Sequence, residues 1–294
     1  MPTKPIHAFA LQKKHFTEKI NAHEKVARTK LILVIVANTI DPEIGKGCME
    51  DIKSIRHMFD ELSGHMDFNF LELLVQGEDY SKENILGAIN ILTPGPNDIV
   101  VFYYSGHGFS YEKDAAKRFP QVDLRSHPSS NKIDVVNANT ENLMDLFELV
   151  KSRGARLNIV VGDCCNSIIQ FKRTFAGGDE KMRTEERPKM IVNKKMAETL
   201  FCDYTASILV GAADKGQFAV SDEKLGSIFT FNFTNNLKIL LNKSMDESEG
   251  LPWKKLLEET QEKTFHLSKT YDIGNGVPGH QKAVFEIHSN KSLY

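Results

Sequence analysis

Several things are scarce in this chain, and each scarcity excludes a class of protein. No stretch approaches the roughly 18 consecutive apolar residues of a membrane span. The opening MPTKPIHAFALQKKHFTEKINAHEKVARTK has no apolar core of signal-peptide length. A cytoplasmic protein is expected, or a secreted one whose signal has been removed. Cysteine is sparse: Cys48, Cys164, Cys165 and Cys202 are the four in 294 residues. That is too few for a disulfide scaffold, and none has the two-to-four-residue spacing of structural zinc ligands. Free thiols are the reading. A formal net charge of -2 offers no footing for nucleic acid or an anionic membrane. No glycine-rich phosphate loop follows the first strand, which removes a nucleotide-binding module. No internal repeat and no low-complexity tract is visible.

What is present is ordinary globular composition, 41% hydrophobic and 26% charged, arranged in alternating strands and helices. Leu31–Ala37 (LILVIVA), Phe68–Val75, Ile99–Tyr104, Leu157–Val161 and Ser207–Ala212 read as strands, with Lys282–His288 as a last one. Helical spacing appears over Gly47–Leu62, Ser81–Leu92, Thr140–Ser152, and near 226–241 and 252–267. Residues 1–29 read as a polar N-terminal extension and residues 30–294 as one domain. Ser110–Asn139 reads as irregular, and 172–197 as a mobile basic loop. The alternation predicts a mostly parallel sheet covered on both faces.

In such sheets reactive groups gather beyond the carboxyl ends of the strands. Two apolar strands end on reactive residues: VVFYY runs into Ser105-Gly106-His107-Gly108, and LNIVV runs into Gly162-Asp163-Cys164-Cys165. One crossover between parallel strands would place the imidazole of His107 beside the thiol of Cys165. That pair suits nucleophilic acyl transfer, because imidazole promotes the thiolate and can protonate a leaving amine. The backbone N–H groups of Gly108 and Cys165 are the expected oxyanion donors, glycine allowing a carbonyl to approach.

These residues resemble the caspase-like cysteine peptidases, metacaspase branch. The resemblance rests on YSGHG (104–108), DCCNS (163–167), GCMED (47–51) and GSIFTFNF (226–233), with Cys165 following His107 by 58 residues. It implies a three-layer α/β/α sandwich with a central, mostly parallel sheet. It also implies Cys165, rather than Cys164, as nucleophile and His107 as proton shuttle. Asp51, Ser105 and Asp163 would form the pocket for the residue before the cleaved bond. Carboxylates there would attract guanidinium or ammonium through charge-assisted hydrogen bonds, so cleavage after Arg or Lys is expected. Protein or peptide substrates are the implied partners of a monomeric enzyme. No third catalytic side chain is assigned, a backbone carbonyl being the expected orienter of the imidazole.

Three departures from the family pattern stand out. Asn166 replaces a common histidine. Ile168 replaces a small residue. The carboxylates that could hold calcium (Asp114, Asp123, Asp134, Glu141 and Asp145) are scattered, so no cofactor requirement is expected. Loop 172–197 carries Lys172, Arg173, Lys181, Arg183, Arg187, Lys189, Lys194 and Lys195, which makes self-cleavage there an expectation. Two rivals remain: an acyl-transferring ligase on the same pair of residues, and a catalytically weak caspase-like scaffold.

Overall fold

The computed structural model describes residues 8–23, 28–112, 117–125, 132–168, 190–244, 252–274 and 276–289. The first half of the chain runs α1 (Ala8–His23), β1 (Lys30–Ala37), α2 (Gly45–Met66), β2 (Asn69–Gln76), α3 (Lys82–Asn90) and β3 (Ile99–Ser105). A small antiparallel ribbon follows, made of β4 (Gly108–Phe109), β5 (Gln121–Asp123) and β6 (Thr140–Asn142), with α4 (Ile133–Ala138) inside it. Then come α5 (Leu143–Lys151), β7 (Leu157–Asp163), α6 (Lys194–Phe201), β8 (Ala206–Gly211), and the short pair β9 (Ser221–Asp222) and β10 (Gly226–Ser227). Helices α7 (Ile228–Asn242) and α8 (Pro252–Ser268) and strand β11 (Val284–Ser289) complete the order.

Six strands form the central sheet in the order β11-β8-β7-β3-β1-β2. Five run parallel, and β11 closes one edge antiparallel to β8. The unbroken apolar run of β1 follows from burial on both faces. Leu31, Leu33 and Ile35 pack with residues of α2, α6, α7 and α8, while Ile32, Val34 and Val36 pack with α1, α3 and α5. The molecule is therefore an α/β/α sandwich. Each such side chain contributes about 1.5–3 kcal/mol through burial.

Helix α1 belongs to that second layer. Phe9, Phe16 and Ile20 are buried against the β2 side of the core, and the Gln12 side chain accepts a hydrogen bond from Leu74 N–H at 3.3 Å. This shields an edge strand that would otherwise offer unpaired backbone groups.

Three segments differ from the sequence reading. The stretch expected to be irregular, Ser110–Asn139, holds β5 and α4. Thr140–Asn142, expected in the first turn of a helix, is a strand paired with Gln121–Asp123; Asn142 then caps α5 by accepting from Met144 N–H at 3.0 Å. The expected basic loop ends earlier than 197, since Lys194 and Lys195 open α6 behind an Asn193 cap. Its remainder from 172 to 189 lies outside the described residues.

Candidate active site

Strands β3 and β7 are hydrogen-bonded in parallel through Ser105 opposite Asp163. His107 and Cys165 each lie two residues past that last pair, so one sheet edge presents both. The two glycines around His107 are required by close approach. A Cβ on Gly106 would sit 2.6 Å from the Tyr104 hydroxyl, and one on Gly108 would sit 2.5 Å from both the Cys165 carbonyl oxygen and Cys164 Sγ. The glycine at 108 therefore lets the histidine loop lie against the cysteine loop.

His107 is held at backbone and ring. Its carbonyl accepts from the Tyr104 hydroxyl at 2.7 Å and from Asp123 N–H at 2.9 Å. Its Nε2 lies 2.9 Å from Asp41 Oδ2. A side-chain carboxylate thus faces the ring; a backbone carbonyl was the expected orienter. Asp41 is 1% exposed at the side chain, and its Oδ1 accepts from Glu43 and Ile44 N–H at 2.9 and 3.2 Å. Burial alone would raise its pKa. The hydrogen bond and charge of His107, with the two backbone donors, reverse that and bring it to about 2. Within the turn NTIDPEIG, an aspartate before proline reads as an ordinary turn residue, which hid it.

The two adjacent thiols have different surroundings. Cys164 is 2% exposed and its pKa is pushed well up, chiefly by burial and then by the neighbouring Cys165 and Asp163, which describes an inert thiol. Cys165 is half-buried. Its sulfur accepts from Ala219 N–H at 3.3 Å and lies 3.7 Å from the Ala219 carbonyl oxygen.

Asn166 clamps the cysteine loop from behind. Fully buried, it donates from Nδ2 to the carbonyls of Arg118 (2.8 Å) and Ala213 (3.2 Å). Its Oδ1 accepts from the Ser110 hydroxyl, and its backbone exchanges bonds with Gln217 and Gly216. An imidazole offers two ring nitrogens for that work, so the departure from histidine has a structural account. Ile168 is 40% exposed and bridges Ser110 at the surface.

Asp51, Ser105 and Asp163 come together under this edge. The Ser105 hydroxyl donates to Asp51 Oδ2 at 2.7 Å. Ser227 joins the two acids: its N–H donates to Asp51 Oδ1 at 2.7 Å and its hydroxyl to Asp163 Oδ1 at 2.7 Å. The Thr230 hydroxyl donates to Asp163 Oδ2 at 2.6 Å, and Tyr103 reaches the same oxygen at 3.4 Å. Among the described residues, every donor to these acids is a hydroxyl or a backbone N–H. Burial, then Asp163, raises the pKa of Asp51 well above the carboxylate range; burial raises Asp163 to about 6. Ser227, Thr230 and Tyr103 went unread as site residues, although GSIFTFNF had marked the first two as part of a motif.

Two of the candidate calcium ligands are engaged by cationic side chains. Asp123 is engaged by Arg125 at 2.8 Å through Nε, with a second contact through Nη2, and Glu141 pairs with Lys82 at 2.8 Å. Asp114 lies outside the described residues. Among the described residues no group of three or more His, Cys, Asp or Glu side chains could hold a metal ion, and no helix is long and apolar enough to cross a membrane.

A metacaspase-1 of Debaryomyces hansenii is 30% identical over 90 residues, which cover 28% of this chain and 20% of that protein. The chain thus aligns with about a fifth of the length of the curated relative it matches. A crystal structure of caspase-1 from Spodoptera frugiperda superposes with a TM-score of 0.49 at 13% identity, covering 89% of this chain and 86% of that one. The caspase domain (Peptidase_C14) matches residues 30–279, from the start of β1 to beyond α8. The chain belongs to the caspase domain family of cysteine peptidases.

Proposed function

We propose that this protein is an endopeptidase that cleaves after Arg or Lys through a thioester acyl-enzyme on Cys165. His107 takes the thiol proton and returns it to the leaving amine, and water then resolves the thioester. The N–H groups of Gly108 and Cys165 stabilise the oxyanion. Asp51 and Asp163, with Ser105 between strand and helix, receive the basic side chain.

The observation that carries this reading is the buried acid pair. Two carboxylates held by hydroxyls and one shared serine, beside the nucleophile loop, make a site that a guanidinium or ammonium group completes. An acidic side chain would meet like charge there and be rejected. Proteins or peptides with an exposed basic residue are the substrates, the enzyme works as a monomer, and the Asp123 and Glu141 ion pairs speak against a calcium requirement. The basic stretch from Lys172 to Lys189 is a substrate for the protein's own activity.

A panel of fluorogenic peptides differing only in the residue before the scissile bond tests this, with and without calcium. Turnover of the Arg and Lys peptides with none of the Asp peptide is expected. Turnover of the Asp peptide, or none of any peptide by a folded chain, would overturn it. Intact mass of the purified chain against a Cys165→Ala variant tests self-cleavage; identical uncut masses would remove that part. Product analysis with a competing amine separates hydrolysis from ligation.

A further inference from the structure

We infer that Asp41 is a positioning residue for the reaction, so that the working unit is Cys165–His107–Asp41 and not a pair. The inference rests on the peptidase reading above and adds to it the group that fixes the imidazole's proton.

Asp41 sits in the turn between β1 and α2, and the other two residues sit at the ends of β3 and β7. The order β7-β3-β1 in the sheet therefore delivers the three residues from three neighbouring strand ends. The two carboxylate oxygens have separate duties: Oδ1 accepts from Glu43 and Ile44 N–H, and Oδ2 faces His107 Nε2 at 2.9 Å. An ionised carboxylate can only accept hydrogen bonds. Nε2 must therefore carry a proton, and the neutral ring holds its lone pair at Nδ1, the nitrogen on the other side of the ring from Asp41.

The proton balance then closes. The Cys165 Sγ–H proton passes to Nδ1, giving thiolate and imidazolium. The Nε2–H stays on nitrogen, donated to Asp41, whose negative charge stabilises the cation. When the peptide bond breaks, the Nδ1 proton goes to the leaving amine and the ring returns to its starting tautomer. Asp41 itself never gains a proton.

Other ionisable groups near these loops do not replace it. Cys48 of α2 and Cys164 are buried thiols with raised pKa values, burial being the first cause for each. Asp51 and Asp163 are directed to Ser105, Ser227 and Thr230.

The discriminating variant is Asp41→Asn. Its Oδ1 can keep both backbone bonds of the turn, while its Nδ2 would present hydrogens to Nε2. The ring would then take the opposite tautomer, with Nδ1–H pointing at the thiol. The readout is the pH dependence of Cys165 alkylation by iodoacetamide in the full chain, followed by peptide mapping; it needs no peptidase substrate. The unsubstituted chain is expected to show a thiolate inflection below about 7.5, and Asp41→Asn one moved toward the ordinary value near 8.5. With an Arg peptide, kcat should fall on the order of 10²–10⁴-fold with KM little changed, and Asp41→Glu should recover part of it. An alkylation profile unchanged by Asp41→Asn overturns the inference.

A second measurement covers a variant that fails to fold. In ¹⁵N-histidine-labelled Cys165→Ser protein, the neutral His107 ring should carry its hydrogen on Nε2; a hydrogen on Nδ1 instead overturns the inference as well. A chain that shows the shifted alkylation profile yet cleaves no basic peptide supports the role of Asp41 and counts against the substrate reading alone.

Discussion

Two clusters of buried aspartate lie at the same sheet edge, and their chemistry runs in opposite directions. Asp41 is buried with the imidazole of His107 and two backbone N–H groups as partners, and its pKa is brought down to about 2 despite burial. Asp51 and Asp163 are equally buried among hydroxyls, and theirs move up, Asp163 to about 6. Burial raises all three; what differs is whether an imidazole stands beside the carboxylate. A depressed value marks an acid whose partner is built into the fold. A raised one follows from burial among hydroxyls without a cation, which accords with the proposed role of the pair in receiving a basic side chain.

The sharpest way to break this distinction is to remove one acid of the raised pair. Asp163→Ala is expected to cost about 10- to 150-fold in kcat/KM for an Arg peptide, because it removes a charge-assisted contact worth about 1.5–3 kcal/mol. Steady-state kinetics on Arg, Lys and uncharged peptides would show the loss confined to the basic ones. Equal losses on all three would remove these acids from recognition.

A smaller effect is expected from pH. Burial pushes Asp163 up to about 6, so lowering the pH through that value should protonate it and raise KM for Arg peptides several-fold. KM for an uncharged peptide should stay level, and parallel curves for the two peptides would contradict the assignment.

Stability should move the other way from activity. A carboxyl whose folded value lies above its unfolded value favours the folded state at low pH. That contribution is complete below the unfolded pKa near 4 and is lost as pH rises through about 6. Asp51→Asn, which removes one buried like charge and keeps the acceptor for Ser227 N–H, is therefore expected to raise the melting temperature at pH 8 by a few degrees while weakening Arg-peptide turnover. Asp41 has the opposite sign: its depressed value contributes stability at neutral pH that is lost as pH falls from about 4 toward 2. Thermal melts of Asp51→Asn and Asp41→Asn across pH would show opposite trends; matching trends would erase the contrast.

The smallest expected effect concerns the clamp between the clusters. Asn166→Ala leaves the Arg118 and Ala213 carbonyls and the Ser110 hydroxyl without their partner, costing about 1–3 kcal/mol of stability. Denaturant unfolding with a change below about 0.5 kcal/mol would show that the cysteine loop is held by other means.

The sandwich was legible from β1, β3 and β7, because strands buried on both faces read as unbroken apolar runs and their ends could be paired from one crossover. The acid pair was legible through the family likeness and the sign of its charge. The ribbon of β4, β5 and β6 was not: three strands of two or three residues, such as Gly108–Phe109, are too short to carry a periodicity. Ser227 and Thr230 act on Asp163 from 64 and 67 residues away, a relation no local pattern encodes. Asp41 was hidden differently, since a turn aspartate and a catalytic orienter use the same residue type, and only its Oδ2 facing His107 separates them.

The most direct test of the central claim is covalent labelling. An arginyl chloromethyl ketone, an aspartyl analogue and an untargeted alkylator should be compared on the full chain, with the modified cysteine located by peptide mass. The account predicts rapid labelling of Cys165 by the arginyl reagent, none of Cys164, and loss of the preference over the aspartyl reagent in Asp51→Ala/Asp163→Ala. Labelling at Cys164, or equal rates for arginyl and aspartyl reagents at Cys165 in the unsubstituted chain, would contradict it.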